Sequence, residues 1–170
     1  MGVKKDSIVR TIELEGGFTE HPNDRGNYTP SGELKGTKYG VSARSYPDLD
    51  IKNLTYQDAY KIYERDYWNK VVKVEYPREL KPMLFDMAVN HGINGAIKIL
   101  QRAAKVNPDG VVGPVTLRAV KDVKLLDLSL ERVKRFVLIT EKRPKNLVFL
   151  KGWINRVKEM VEFTEKIIKV

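Results

Sequence analysis

Apolar residues return at three- and four-residue steps along most of this 170-residue chain, and two-residue alternation is scarce. Ile8, Val9 and Ile12 open the pattern, which Gly16-Gly17 should stop as a helix C-cap. Thr55 followed by Asp58 has the spacing of an N-terminal helix cap, and Tyr56, Ala59, Tyr60, Tyr63 and Tyr67 then repeat at helical steps. Leu80, Leu84, Met87, Ala88 and His91 form another stripe, closed by Gly92. Ile97, Leu100 and Ala104 continue after Gly95, and Pro114 suits a first helical turn before Leu117 and Val120. Leu130, Val133 and Val137 follow, and the last segment carries Leu150, Trp153, Ile154, Val157, Met160, Val161, Thr164 and Ile168. That last stripe is expected to be a packing face; a membrane-surface role for so basic a segment is the weaker reading, because core packing is the usual fate. Short strands fit only near Tyr39 to Ser42 and Val71 to Val74, with a hairpin in the Tyr28 to Val41 loop. The pattern predicts a mainly α fold with a small β-hairpin or long loop.

Composition sharpens this without changing it. With 42% hydrophobic residues, the chain can bury a sizeable core as one domain or two tightly packed halves. The formal net charge of +9 suits polyanions such as anionic cell-envelope surfaces or nucleic acid. The basic residues are spread along the chain and match no helix-turn-helix, RRM or zinc-finger pattern, so no specific nucleic acid is expected. There is no cysteine and only His21 and His91, which leaves neither a zinc site nor a cysteine nucleophile. No Gly-rich phosphate loop appears, and no metal or cofactor is implied. The sequence has no transmembrane run, and Met1-Gly2-Val3-Lys4-Lys5-Asp6 leads into a charged helix instead of a signal-peptide core, which suggests a product made in the cytoplasm without a signal peptide.

The chemistry gathers near the first helix end. Glu15 lies three residues after Ile12, on the expected core-facing side, and is followed at once by the two glycines and a polar loop. A carboxylate held there would be partly desolvated, which favours the protonated form that a general acid needs. A solvated helix end is the plainer alternative for such a residue. Asp24, Thr29 and Thr37 follow in a loop rich in turn residues, and Asp24 suits either an Asx turn or the positioning of a water. Asp86 and Asn90, four apart, share one helical face and suit either substrate amides or an interior network. The Tyr56 to Tyr67 stripe reads first as core.

Several strings resemble one family. Glu15-Gly16-Gly17-Phe18, Asn23-Asp24-Arg25-Gly26 and Gly36-Thr37-Lys38-Tyr39-Gly40-Val41-Ser42 look like the N-terminal part of glycoside hydrolase family 108, peptidoglycan-cleaving muramidases of phage endolysins and bacterial secretion activators. Tyr63 to Trp68, Phe85 to Gly92, Leu100 to Ala103 and Asp109 to Thr116 continue the likeness into a peptidoglycan-domain half. The resemblance implies a lysozyme-like helical domain, with a catalytic half over 1–75 and a peptidoglycan-domain half over 76–170 packed as one unit. It implies Glu15 as the catalytic acid, and either Thr37, favoured by its Gly-bearing context, or Thr29 as the active-site threonine, with Asp24 as a further candidate. Tyr39, Tyr67, Trp68, Asp86 and Asn90 become candidate substrate contacts, flat rings being suited to the apolar faces of sugars. The implied reaction is hydrolysis between N-acetylmuramic acid and N-acetylglucosamine with inversion, by a monomer that acts on glycan strands of the wall after holin-type or dedicated release. A non-catalytic peptidoglycan-binding or secretion-assisting module is the first alternative, ahead of a lytic transglycosylase or a basic nucleic-acid-binding protein.

Overall fold

The computed structural model describes residues 2–169. They form a mainly α fold that divides into two compact units, one spanning Lys5–Asp66 and the other running from Tyr67 onward together with the first residues up to Lys4.

In the first unit, helix α1 (Val3–Glu15) buries Ser7, Ile8, Thr11 and Ile12, and the Thr11 hydroxyl donates back to the Ser7 carbonyl at 3.1 Å. The helix ends at Glu15, and Gly16 takes the left-handed φ of +77° that ends it. The loop that follows is organised by Asn27, fully buried, whose carbonyl accepts from Lys35 and Gly36, both at 2.9 Å. Strands β1 (Thr37–Lys38) and β2 (Val41–Ser42) make an antiparallel hairpin. Its two-residue turn, Tyr39-Gly40, has φ of +52° and +76°, the signs of a tight I′-type turn that matches strand twist. The hairpin thus lies at the far end of the expected 28–41 window, where only the single bridge Tyr28–Leu34 adds further pairing. Helix α2 (Tyr56–Tyr63) starts with the expected box: the Asp58 amide donates to the Thr55 hydroxyl, and the Thr55 amide donates to the Asp58 carboxylate.

The second unit contains α3 (Asn69–Val71), α4 (Lys81–Ala103), α5 (Pro114–Ala119), α6 (Leu125–Lys142) and α7 (Leu147–Ile168). Helix α4 bends at Gly92, whose φ of +73° and ψ of 160° no helical residue adopts, where the apolar stripe is expected to close. Its residues Met83, Leu84, Met87, Ala88, Ile99 and Leu100 are at most 1% exposed and form the core with Leu128, Phe136, Val157 and Met160. Burial of each large side chain contributes roughly 1.5–3 kcal/mol.

Two expectations need correction. Val71 to Val74 is the end of α3 and a turn, not a strand, with Val74 85% exposed. On α6, Leu130 and Val137 face solvent, and Leu128, Arg132 and Phe136 face inward. The reason is electrostatic. Arg132 must reach the buried Asp86, 2.6 Å away, and a helix that turns Arg132 inward brings its i−4 and i+4 neighbours with it.

The Asp109-Gly110-Val111-Val112-Gly113-Pro114 string is explained by one buried side chain. Gln101, 1% exposed, donates through Nε2 to Asp109 Oδ1 at 2.7 Å and the Val111 carbonyl at 3.0 Å, and its Oε1 accepts from the Gly110 amide at 2.8 Å. Gly110 sits at φ +86°, and Pro114 opens α5 as expected. Gln101→Leu keeps the volume and deletes every one of these bonds. It should lower unfolding stability by roughly 2–3 kcal/mol, since buried partners are left unsatisfied. A denaturant midpoint equal to wild type would show that the loop holds itself.

Candidate active site

Glu15 stands at the open end of α1, solvent-exposed. The expected desolvation is therefore not supplied by the chain: Ile8 and Ile12 are inward, but by Glu15 the helix has rotated its side chain to the surface. What the fold supplies is position. The Tyr39 amide donates to the Gly16 carbonyl at 3.1 Å, tying the hairpin turn to the helix end, and the buried Tyr63 donates its hydroxyl to the Tyr39 carbonyl at 2.9 Å. Gly40 then passes so close that a Cβ on it would lie 3.0 Å from Glu15 Cγ. Tyr39, held at a φ that few residues with a side chain adopt, meets Tyr56 edge-on at 6.1 Å and receives the Lys38 ammonium over its ring at 5.6 Å.

Thr37 is half-buried in the same hairpin, exchanging both backbone hydrogen bonds with Thr19 at 2.8 Å. Thr29 is different. Its hydroxyl lies 2.8 Å from Ser31 Oγ and accepts from the Glu33 amide at 3.0 Å, so it is engaged in holding the loop. Asp24 serves an Asx turn, accepting from the Gly26 amide at 2.8 Å at the start of a 3₁₀ turn. Elsewhere in this unit Asp50 accepts from Asn53, Asp58 caps α2, and Asp66 binds Arg65 and the Tyr46 hydroxyl. Two concavities of this unit, one of about 380 Å³ lined by Phe18, Glu20 and Asp48 to Lys52, the other of about 430 Å³ lined by Tyr46, Asn53 and Arg65, do not include Glu15. Among the described residues no three His, Asp or Glu side chains gather to hold a metal.

The second unit holds the remaining candidate contacts. Trp68 is 8% exposed and packs at 5.5 Å on Phe85, and Tyr67 leans on the core, so the Trp68 ring is not presented as a sugar platform. Burying an aromatic face of this size outweighs leaving it in water. Asp86 is 1% exposed and ion-paired to Arg132 and to Arg156 at 2.8 Å: of the two roles open to it, it takes the interior network. Asn90 is exposed, and its amide donates to the Asp86 carbonyl at 2.7 Å. His91, half-buried, has its ring 5.0 Å from that of Phe136.

Comparison with known proteins matches residues 8–92 to the family model described as Glycosyl hydrolase 108. The chain belongs to the glycosyl hydrolase 108 family. Residues 95–158 match a second model, described as Predicted Peptidoglycan domain. Among solved structures, the Brucella abortus SagA structure is similar, with a TM-score of 0.75 and 26% identity over 96% of this chain and 94% of that one. A comparison with curated proteins gives no match. The fold is lysozyme-like, and as a member of the glycosyl hydrolase 108 family with a peptidoglycan domain the chain is a peptidoglycan-degrading glycoside hydrolase.

Two residues that shape the Glu15 site escape sequence reasoning. Tyr63 belongs to a stripe that reads as packing, and an aromatic repeat gives no sign of where a hydroxyl will land. Gly40 could have been found, since a Gly next to Tyr between two short β-prone pairs signals a tight turn.

Proposed function

We propose that this glycosyl hydrolase 108 member hydrolyses the bond between N-acetylmuramic acid and N-acetylglucosamine, with Glu15 as general acid and inversion at the anomeric carbon. The observation that carries the reading is the clamp on the exposed end of α1: Gly16, Tyr39, Gly40 and Tyr63 fix the backbone beside Glu15. Because Glu15 is exposed, the sugar chain itself must exclude water from it, so the acid is held against the glycosidic oxygen only under substrate. The proton goes to the leaving glycosidic oxygen.

Inversion needs a water on the opposite face of the ring instead of an attacking carboxylate. Asp24, Asp50, Asp58 and Asp66 already serve turns, a cap or an ion pair, and Glu20 and Asp48 line a concavity that does not include Glu15, which favours water over a second carboxylate as nucleophile. Thr37 is the better candidate to orient that water, because the Thr29 hydroxyl is engaged within its loop. Proton NMR of the first-formed reducing end should show the inverted anomer. Retention at early times, or anhydro-muramyl ends in the product mass spectrum, would end the inverting-hydrolase reading.

A further inference from the structure

At the start of α7 the second unit leaves an apolar patch uncovered. Leu147, Val148 and Phe149 are 61%, 77% and 54% exposed, and Ile154 is 41% exposed. Leu147, Leu150, Lys151 and Ile154 line a shallow concavity of about 390 Å³. The patch is anchored, not frayed: the Phe149 ring lies 6.0 Å from Trp153, which stacks at 4.9 Å on the buried Phe136. Single exposed apolar side chains are ordinary, but four within the eight residues from Leu147 to Ile154 at one helix end mark a contact surface.

The segment that carries it is basic between Glu141 and Glu159. From Lys142 to Lys158 the chain has Lys142, Arg143, Lys145, Lys151, Arg156 and Lys158 and no Asp or Glu, and the first four of these are exposed. An apolar centre with a basic border is complementary to a surface whose outer layer is anionic and whose inner layer is hydrocarbon. We propose that this face docks on an anionic lipid bilayer, with Val148 and Phe149 entering the acyl boundary and Lys142, Arg143, Lys145 and Lys151 meeting headgroup phosphates. A second copy fits poorly, because a two-fold contact through this patch sets two identical basic rims against each other. No residue of this face belongs to the Glu15 site, so the inference goes beyond the hydrolase reading and stands apart from it.

Co-sedimentation of the full chain with vesicles tests it. Phosphatidylcholine vesicles containing about one-third phosphatidylglycerol should bind at least about tenfold more tightly than phosphatidylcholine alone, and about 0.5 M salt should release most of the protein. The pair Val148→Ser with Phe149→Ser should weaken lipid binding about tenfold, with the circular dichroism spectrum and binding to lipid-free walls unchanged. Lys145→Glu with Lys151→Glu should lose about as much, and it carries the test if the serine pair does not fold. The proposal fails if the two vesicle types bind equally, if neither binds at low salt, or if both variants bind like wild type. It fails too if the serine pair instead dissolves a dimer or loses binding to lipid-free walls.

Discussion

Glu15→Gln is expected to lower the rate of wall digestion by about 10²–10⁴-fold, the contribution that general acid catalysis typically supplies. The amide keeps the shape and most of the hydrogen-bonding capacity of the acid but cannot release a proton to a leaving oxygen. Because Glu15 is exposed and ends its helix, the change should leave the thermal midpoint and binding to insoluble walls nearly as they are. A loss in kcat at constant wall affinity therefore separates chemistry from binding. The measurement is turbidity loss of a wall suspension, with reducing ends counted in the products. Wild-type turnover in the variant would return Glu15 to the status of a solvated helix end.

Local signals were legible where they had local causes. The Gly-Gly stop after Glu15, the Thr55/Asp58 cap, the break at Gly92 and the Pro114 helix start all depend on residues within four positions of one another, and each is found where the pattern puts it. The α6 face and the role of Asp86 were not legible, because they depend on a partner far along the chain. Leu130 and Val137 make a plausible stripe with Val133, which does pack on the core, until Arg132 is known to be inside. Nothing short of the fold pairs Arg132 and Arg156 with Asp86.

The site divides along the same line. Glu15 and its turn were legible as residues, but its exposure was not, since three residues of helix past Ile12 is a rotation that can end on either side of the boundary between core and water. The choice between Thr29 and Thr37 rests on which hydroxyl the loop itself engages, and the Ser31 and Glu33 partners of Thr29 become visible only in three dimensions. Trp68 shows the opposite failure: its pairing with Tyr67 suggested sugar stacking, and Phe85, which buries it, lies on another helix.

Asp86→Asn should be the most destabilising of the single changes considered, at about 3–5 kcal/mol, because it strands a buried cation. Arg132 has no exposed side-chain surface; apart from Asp86, its Nη1 contacts Met83 Sδ at 3.2 Å, a weak acceptor for a guanidinium. For Asp86 itself, burial opposes ionisation, but Arg132 and Arg156 outweigh it and hold the carboxyl below its ordinary value of 3.8. That group's stabilisation is complete above about 3.8 and is lost as pH falls further. His91 acts at higher pH. Desolvation, with Arg132 and Arg135 nearby, pushes it down from 6.5 to about 4, so the unfolded chain binds the proton first and stability falls as pH drops through that window. Denaturant midpoints measured from pH 8 to pH 3 should therefore show wild type weakening between 6.5 and 4 and again below 3.8, while Asp86→Asn starts far lower and shows a smaller second step, carried by Asp50, Asp58 and Asp109, which hydrogen bonds also hold below 3.8. A variant within about 1 kcal/mol of wild type at neutral pH would mean that Arg132 finds water or another partner, and that the ion triad does not hold α4, α6 and α7 together.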